Sequence, residues 1–201
     1  MNWSGLFFFH RGRLRSTPLF RTTVSRTIVI VPFALPYSTR NEMRFLRYLS
    51  LLIAALAVLA PAAHALEMPN KFALDAALWL AVQQHLYRGW GPLVGAPTEI
   101  MGLLINTALA CARSARREHR RASALAACAY AGMLGVFWIF NAPVNAAVAT
   151  WTPATLPLDW PSYRLRWETG HASAAVLSVV ALVAVLYGYV SARGHVFGER
   201  R

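Results

Sequence analysis

Two stretches without a single charged side chain constrain this chain more than anything else in it: Ala122 to Leu158, and Thr169 to Ala192. A third, Tyr48–Leu66, is 19 residues long and makes roughly 28 Å of helix at 1.5 Å per residue. About 20 consecutive apolar residues cross a bilayer core, and a helix satisfies all its backbone groups internally once it is there. With 57% hydrophobic and only 14% charged residues, the chain is too poor in charge for a soluble domain of 201 residues. The expected fold is all-α: an integral membrane four-helix bundle with lipid supplying much of the apolar surroundings.

The spans follow from punctuation along the chain. The first is Tyr48–Leu66. Met68–Gly95 differs in character, with Leu74, Leu78, Val82 and Leu86 recurring every four residues among Asp75, Gln83 and Gln84. That spacing predicts an interfacial amphipathic helix between spans one and two, with Trp79, Tyr87 and Trp90 at headgroup level. Gly89, Gly91, Pro92 and Gly95 then turn the chain back. Pro97 and Glu99 suit the first turn of a second span reaching about Ala115. The third runs from about Ser123 to Ala146 and bends at Pro143. A proline-rich loop leads to the fourth, about Trp167–Ala192.

The net charge of +12 suggests nucleic acid at first sight, but the arginines flank apolar segments and form no basic face on a folded domain. Attraction to anionic headgroups accounts for them, so the lipid bilayer is the expected partner and nucleic acid is not. Arg44, Arg47, the five arginines of the 113–121 stretch and the tail Arg193, Arg200 and Arg201 all fall on one side of a four-span model. The positive-inside rule then gives both termini in the cytoplasm and the two long loops outside, with a bacterial inner membrane as the expected location.

Residues 1–41 hold six arginines, nine serines or threonines and no acid. This composition fits a transit peptide, but Met43-Arg-Phe-Leu-Arg47 already makes a complete charged N-terminus, so an over-extended start is the plainer reading. Residues 1–42 are therefore set apart as a disordered leader or spurious extension, 43–192 as the transmembrane domain, and 193–201 as a basic cytoplasmic tail. Local pattern leaves open whether the first apolar segment is a span or a signal peptide cleaved near Ala63-His64-Ala65. Cys111 and Cys128 read as small hydrophobes in apolar stretches.

Polar residues are costly within spans, and here they gather where helices end on the outer side. His64 and Glu67 end the first span, Asn141 and Asn145 the third, and Glu168 and His171 start the fourth, with Glu99 and His85 nearby. None lies deep on the cytoplasmic side. Glu168-x-x-His171 has the spacing of carboxylate-bridged metal sites in bundles, and His64-x-x-Glu67 mirrors it. Short Glu/His spacings also arise by chance, and a buried pair of Glu168 with Arg164 or Arg166 is the simpler arrangement, so no metal is assigned. Asn141 and Asn145 can bond to carbonyls freed by Pro143, or their amides can hold a substrate oxygen. Asn106 reads as helix-to-helix glue. Trp151, Trp160, Trp167 and Tyr163 read first as an aromatic belt, with a substrate cage as the alternative. His119 and His195 fall in basic segments and receive no site.

His64-Ala-Leu-Glu67-Met-Pro-Asn-Lys71, Gln84-His-Leu-Tyr-Arg-Gly-Trp90, Asn141-Ala-Pro-Val-Asn145 and Arg164-x-Arg-Trp-Glu-x-x-His171 together resemble the anthrone-oxygenase-like family of small four-span membrane proteins. The resemblance covers about Met43 to Ala192 and implies that the first helix is retained. It further implies oxidation of an anthrone-like aromatic compound by molecular oxygen with no organic cofactor, although most of the family has no assigned reaction. The His64–Lys71 element looks like a subgroup apart from the polyketide-tailoring members.

Such a reaction needs a base and a donor for the enolate oxygen. His171 is the expected catalytic base, oriented by Glu168. Asn141 and Asn145, or Arg164, would supply the donor, the tryptophans, Trp167 among them, would sandwich the ring, and His64 and Glu67 would complete the substrate site. The alternatives are a non-catalytic protein that binds a lipid or quinone, and a structural subunit of a membrane complex.

Overall fold

A computed structural model describes residues 40–193. The expected leader, apart from its last residues, and the tail beyond Arg193 with His195 lie outside the described residues. The chain is all helical there: α1 (Arg40–Phe72), α2 (Ala76–Ala81), α3 (Ala96–Cys111), α4 (Arg117–Val136), α5 (Ala142–Val148) and α6 (Trp160–Arg193). Wider, five-residue π turns continue α2 through Val82–Leu86, lead into α3 over Gly91–Gly95, and join α4 to α5 over Phe137–Asn141. Four stretches are long and apolar enough to cross a membrane: Asn41–Phe72, Gly91–Cys111, Arg117–Val148 and Trp160–Ser191. In the most apolar part of each, only 28% to 33% of residues are buried inside the bundle. Leu52, Leu59, Trp138, Val176 and Val183 instead face outward. Water would not tolerate so much outward apolar surface, and the chain is an integral membrane protein.

The spans run up, down, up and down, and α1 packs against both α3 and α6 to close the ring. The 112–116 turn therefore lies at one end of the bundle (the turn end), and the 73–90 and 149–159 connections at the other (the linker end). The core is built from small residues, among them Ala54, Ala57, Ala126, Ala129, Ala174 and Ala181, around Tyr130 and Met133. Helices without a hydrophobic driving force between them associate by close packing, which alanine and glycine permit. Gly102 shows how close: a β-carbon there would lie 2.5 Å from the Tyr130 ring.

Several boundaries differ from expectation. The first span reaches Phe72 through Pro61 and Pro69, so His64 and Glu67 lie within the helix and do not end it. The fourth begins at Trp160, with Pro161 in the first turn, where its missing N–H costs nothing. Arg164 and Arg166 are consequently helical, and Trp167 to His171 lie two to three turns inside α6. The third span does change geometry at Pro143, through the π turn that precedes it. Proline cannot donate to Ile139, four residues earlier, and the Arg166 guanidinium donates to that carbonyl instead. Neither asparagine expected to serve it does so: Asn141 Nδ2 donates to the Trp167 carbonyl, and Asn145 Oδ1 accepts from the Trp167 indole. On the connecting segment, Leu78 and Leu86 of the predicted apolar stripe are exposed, while Trp79 and Leu80 face the bundle. Leu74 of the same stripe packs against the bundle and Val82 is half-buried, so only part of the stripe faces outward.

Candidate functional site

Trp167 organises the linker end. It is 3% exposed, and both asparagines hold it: Asn141 Nδ2 donates to its carbonyl at 3.0 Å, and its indole N–H donates to Asn145 Oδ1 at 2.9 Å. Positions 141 and 145 share a face of the third span, so the NxPxN spacing grips one residue of the fourth at two points. Asn141 can come this near because position 170 is glycine. A β-carbon at Gly170 would lie 2.8 Å from Asn141 Cγ and closer still to its Oδ1.

Around the indole sits a group of rings from three elements. His171, one turn on, meets Trp167 edge to face at 4.1 Å between centroids, and His64 of α1 meets it at 4.9 Å. The two imidazoles lie against each other at 4.1 Å and 40°. Tyr87 stacks on Trp167 at 5.6 Å, and Trp90 approaches His64 at 5.7 Å. His64 Nδ1 is buried with no hydrogen-bond partner among the described residues, and the nearest carboxylate oxygen, Glu67 Oε2, is 3.9 Å away. Buried nitrogens without partners are uncommon and mark places where water or a ligand is expected.

Below the rings is an ion pair. Lys71 Nζ lies 2.8 Å from Glu168 Oε2, with both side chains almost wholly buried. The ammonium also sits over the Trp167 ring at 4.8 Å and the Tyr87 ring at 5.5 Å. Two charges inside a bundle cost several kcal/mol each unless they face one another, which is why this pair exists. Glu168 thus pairs with Lys71 and with neither Arg164 nor Arg166, and no hydrogen bond joins it to His171. Arg164 donates to the carbonyls of Lys71 and Leu74 and lies between the Phe72 and Trp160 rings. Its guanidinium holds the end of α1 in place.

The connecting segment covers the rings. Tyr87 donates to Glu67, and Gln84 Nε2 donates to the carbonyls of Val148 at 2.8 Å and Trp151 at 2.9 Å. Burial first, and then the neighbouring Glu67 carboxylate, push the Tyr87 hydroxyl well above the usual tyrosine range, so it stays a phenol and a donor. Gly89 has φ of +93°, a left-handed turn that a side chain would strain, and it reverses the chain beneath Trp90.

These parts enclose a cavity of about 860 Å³. His64, His171, Trp167, Asn141 and Asn145 line it, together with Tyr87, Trp90, His85 and Glu99; apolar walls come from Met133, Leu134 and Phe137. Of the residues expected to form a site, those first five converge on the cavity wall. Glu67, Glu168 and Arg164 do not line it. Among the described residues no group of three or more His, Cys, Asp or Glu is placed to hold a metal ion. Cys111 and Cys128 are free and exposed.

No protein-family model, curated protein or solved structure matches the chain.

Sequence reasoning passed over Lys71, Tyr87 and Trp90 as members of the site. For Lys71 a signal was there: His64, Glu67 and Lys71 recur at helical spacing on one face, continuous with α1. It also passed over the turn end, where polar groups do lie deep. Ser50 Oγ donates to Asn106 Oδ1 at 3.0 Å, and Asn106 Nδ2 to the Gly102 carbonyl. His119, 6% exposed, has Nδ1 3.2 Å from the Gly188 carbonyl. Asn106 joins α1 to α3, the gluing role expected of it.

Proposed function

We propose that the cavity takes a flat, largely apolar ring compound from the bilayer and oxidises an acidic methylene of it with molecular oxygen, without an organic cofactor. One observation carries this reading: an imidazole, His171, on the wall of a large aromatic-lined cavity, wedged between a second imidazole and an indole. Apolar pockets with a few convergent polar groups are where small lipophilic molecules bind. His171 would take a methylene proton to leave an enolate, and the Asn145 amide, whose oxygen is engaged by Trp167, has N–H donors for the enolate oxygen. Oxygen then adds to that carbon, and the hydroperoxide loses water: one methylene and one dioxygen become one carbonyl and one water. Trp167 and Trp90 would hold the ring. Glu168 and Lys71 act as positioning residues behind Trp167.

In this reading the protein sits in a bacterial inner membrane with both termini in the cytoplasm. The arginines of the 113–121 stretch, with Arg44 and Arg47, support that orientation because they gather at the turn end. A second reading, a site that binds a quinone or lipid without turnover, is favoured by Glu168: its partner is Lys71, and no carboxylate pairs with His171 among the described residues.

Purified protein in nanodiscs, given anthrone, separates the two. Binding is read from quenching of tryptophan fluorescence, and turnover from oxygen uptake. His171→Gln should keep binding and lose turnover by about 100-fold or more. Binding without oxygen uptake in the unaltered protein supports the second reading, and no quenching by anthrone rejects the first.

A further inference from the structure

On the outside of the bundle at the turn end, α4 and α6 together line a second groove of about 590 Å³. Its floor is apolar: Leu125 of α4 and Val179, Val180 and Val183 of α6, each exposed by a third or more. From Val179 to Tyr187 it follows α6 for roughly 12 Å at 1.5 Å per residue. Its polar rim comprises Glu118 and Arg121, on the first two turns of α4, and the Tyr187 hydroxyl. Arg121 is exposed, and its guanidinium has no ion pair or hydrogen bond among the described residues. It closes a stretch of five arginines with Glu118 as its only acid.

We propose that this groove is a binding site for an anionic phospholipid, one acyl chain lying along Val179–Val183 and the phosphate meeting Arg121. Two features select this occupant. The groove runs along a spanning helix, as an acyl chain does, and its cationic rim stands at the end of that helix, where headgroups lie. An arginine fork matches phosphate geometry and binds it with two parallel N–H donors. A zwitterionic lipid would bring its own cation into the arginine cluster, so the net charge of the rim discriminates by headgroup. Glu118, three residues before Arg121, opposes the phosphate and weakens the site. The groove is separate from the ring cavity and does not depend on what that cavity does.

Native mass spectrometry of the full chain from detergent, titrated with phosphatidylglycerol or phosphatidylcholine of identical chains, tests this. The unaltered protein should retain phosphatidylglycerol preferentially. Arg121→Gln should weaken that retention about fivefold, as expected for loss of one arginine near a charged headgroup. Glu118→Gln should strengthen it, and Val183→Trp, which fills the groove, should weaken retention of both lipids. Arg113→Gln, in the same cluster but off the groove, should change little. Equal losses in Arg113→Gln and Arg121→Gln would mean diffuse electrostatics and overturn the site. So would indifference to headgroup, or a dimer dissociated by Val183→Trp, which would make a second copy the occupant.

Discussion

Gly170→Ala inverts the usual effect of that substitution in a helix. At an unconstrained interior position alanine is better than glycine by about 1 kcal/mol. Here the added methyl would lie 2.8 Å from Asn141 Cγ and 2.9 Å from Nδ2, in a side chain only 2% exposed. Forcing a methyl into such packing costs about 1–3 kcal/mol. If Asn141 swings away, it gives up its bond to the Trp167 carbonyl and leaves buried polar groups unmatched, at about 1–3 kcal/mol. After the helix gain is subtracted, Gly170→Ala should destabilise the bundle by up to about 2 kcal/mol. Asn141→Ala removes the obstacle, so in that background Gly170→Ala should be neutral or stabilising, a coupling of up to about 3 kcal/mol. Unfolding in mixed micelles titrated with dodecyl sulfate, followed by tryptophan emission, measures all four chains of the cycle. Equal shifts in both backgrounds, or a stabilised single variant, would refute the contact between the third and fourth spans.

Lys71→Met should cost about 3–5 kcal/mol by leaving the Glu168 carboxylate buried alone, and adding Glu168→Gln should restore much of it; the same titration reads both. Tyr87→Phe bears on pH. Because the folded hydroxyl titrates above its unfolded value near 10, the unfolded chain loses that proton first, so the Tyr87 contribution is complete below about pH 10 and is lost as pH rises further. The phenylalanine variant should lack that part of the alkaline fall in stability, and matching alkaline profiles would contradict the environment described for Tyr87. Asn106→Ala should cost about 1 kcal/mol, the usual scale of a hydrogen bond between membrane helices, and Ser50→Ala in the same chain should add little.

How much was legible follows from what each signal measures. Charge-free runs report immersion in lipid, so four spans and their order could be read directly. The ends could not. Pro161 and Pro69 look like breaks, yet one occupies a first turn and the other lies inside α1. That Asn141, Asn145, Trp167, His171 and His64 come together was legible because polar and aromatic residues inside an apolar span have few other reasons to be there. Their partners were harder to read. Glu168 looked local to His171 and Arg164, whereas its partner, Lys71, lies on the first span and becomes adjacent only when the ring of helices closes. The Tyr87 and Gln84 contacts depend on how the connecting segment folds back, and period alone carries no information about that.

Topology is the most direct test of the account, because the grip of Asn141 and Asn145 on Trp167 requires the third and fourth spans to meet at the linker end. Single cysteines at Ser114→Cys and Ala154→Cys, each in a chain with Cys111 and Cys128 changed to alanine, can be probed on intact cells with a membrane-impermeant maleimide. The account predicts that Ala154→Cys reacts at once and that Ser114→Cys reacts only after permeabilisation. Labelling of both positions from the same side would contradict it.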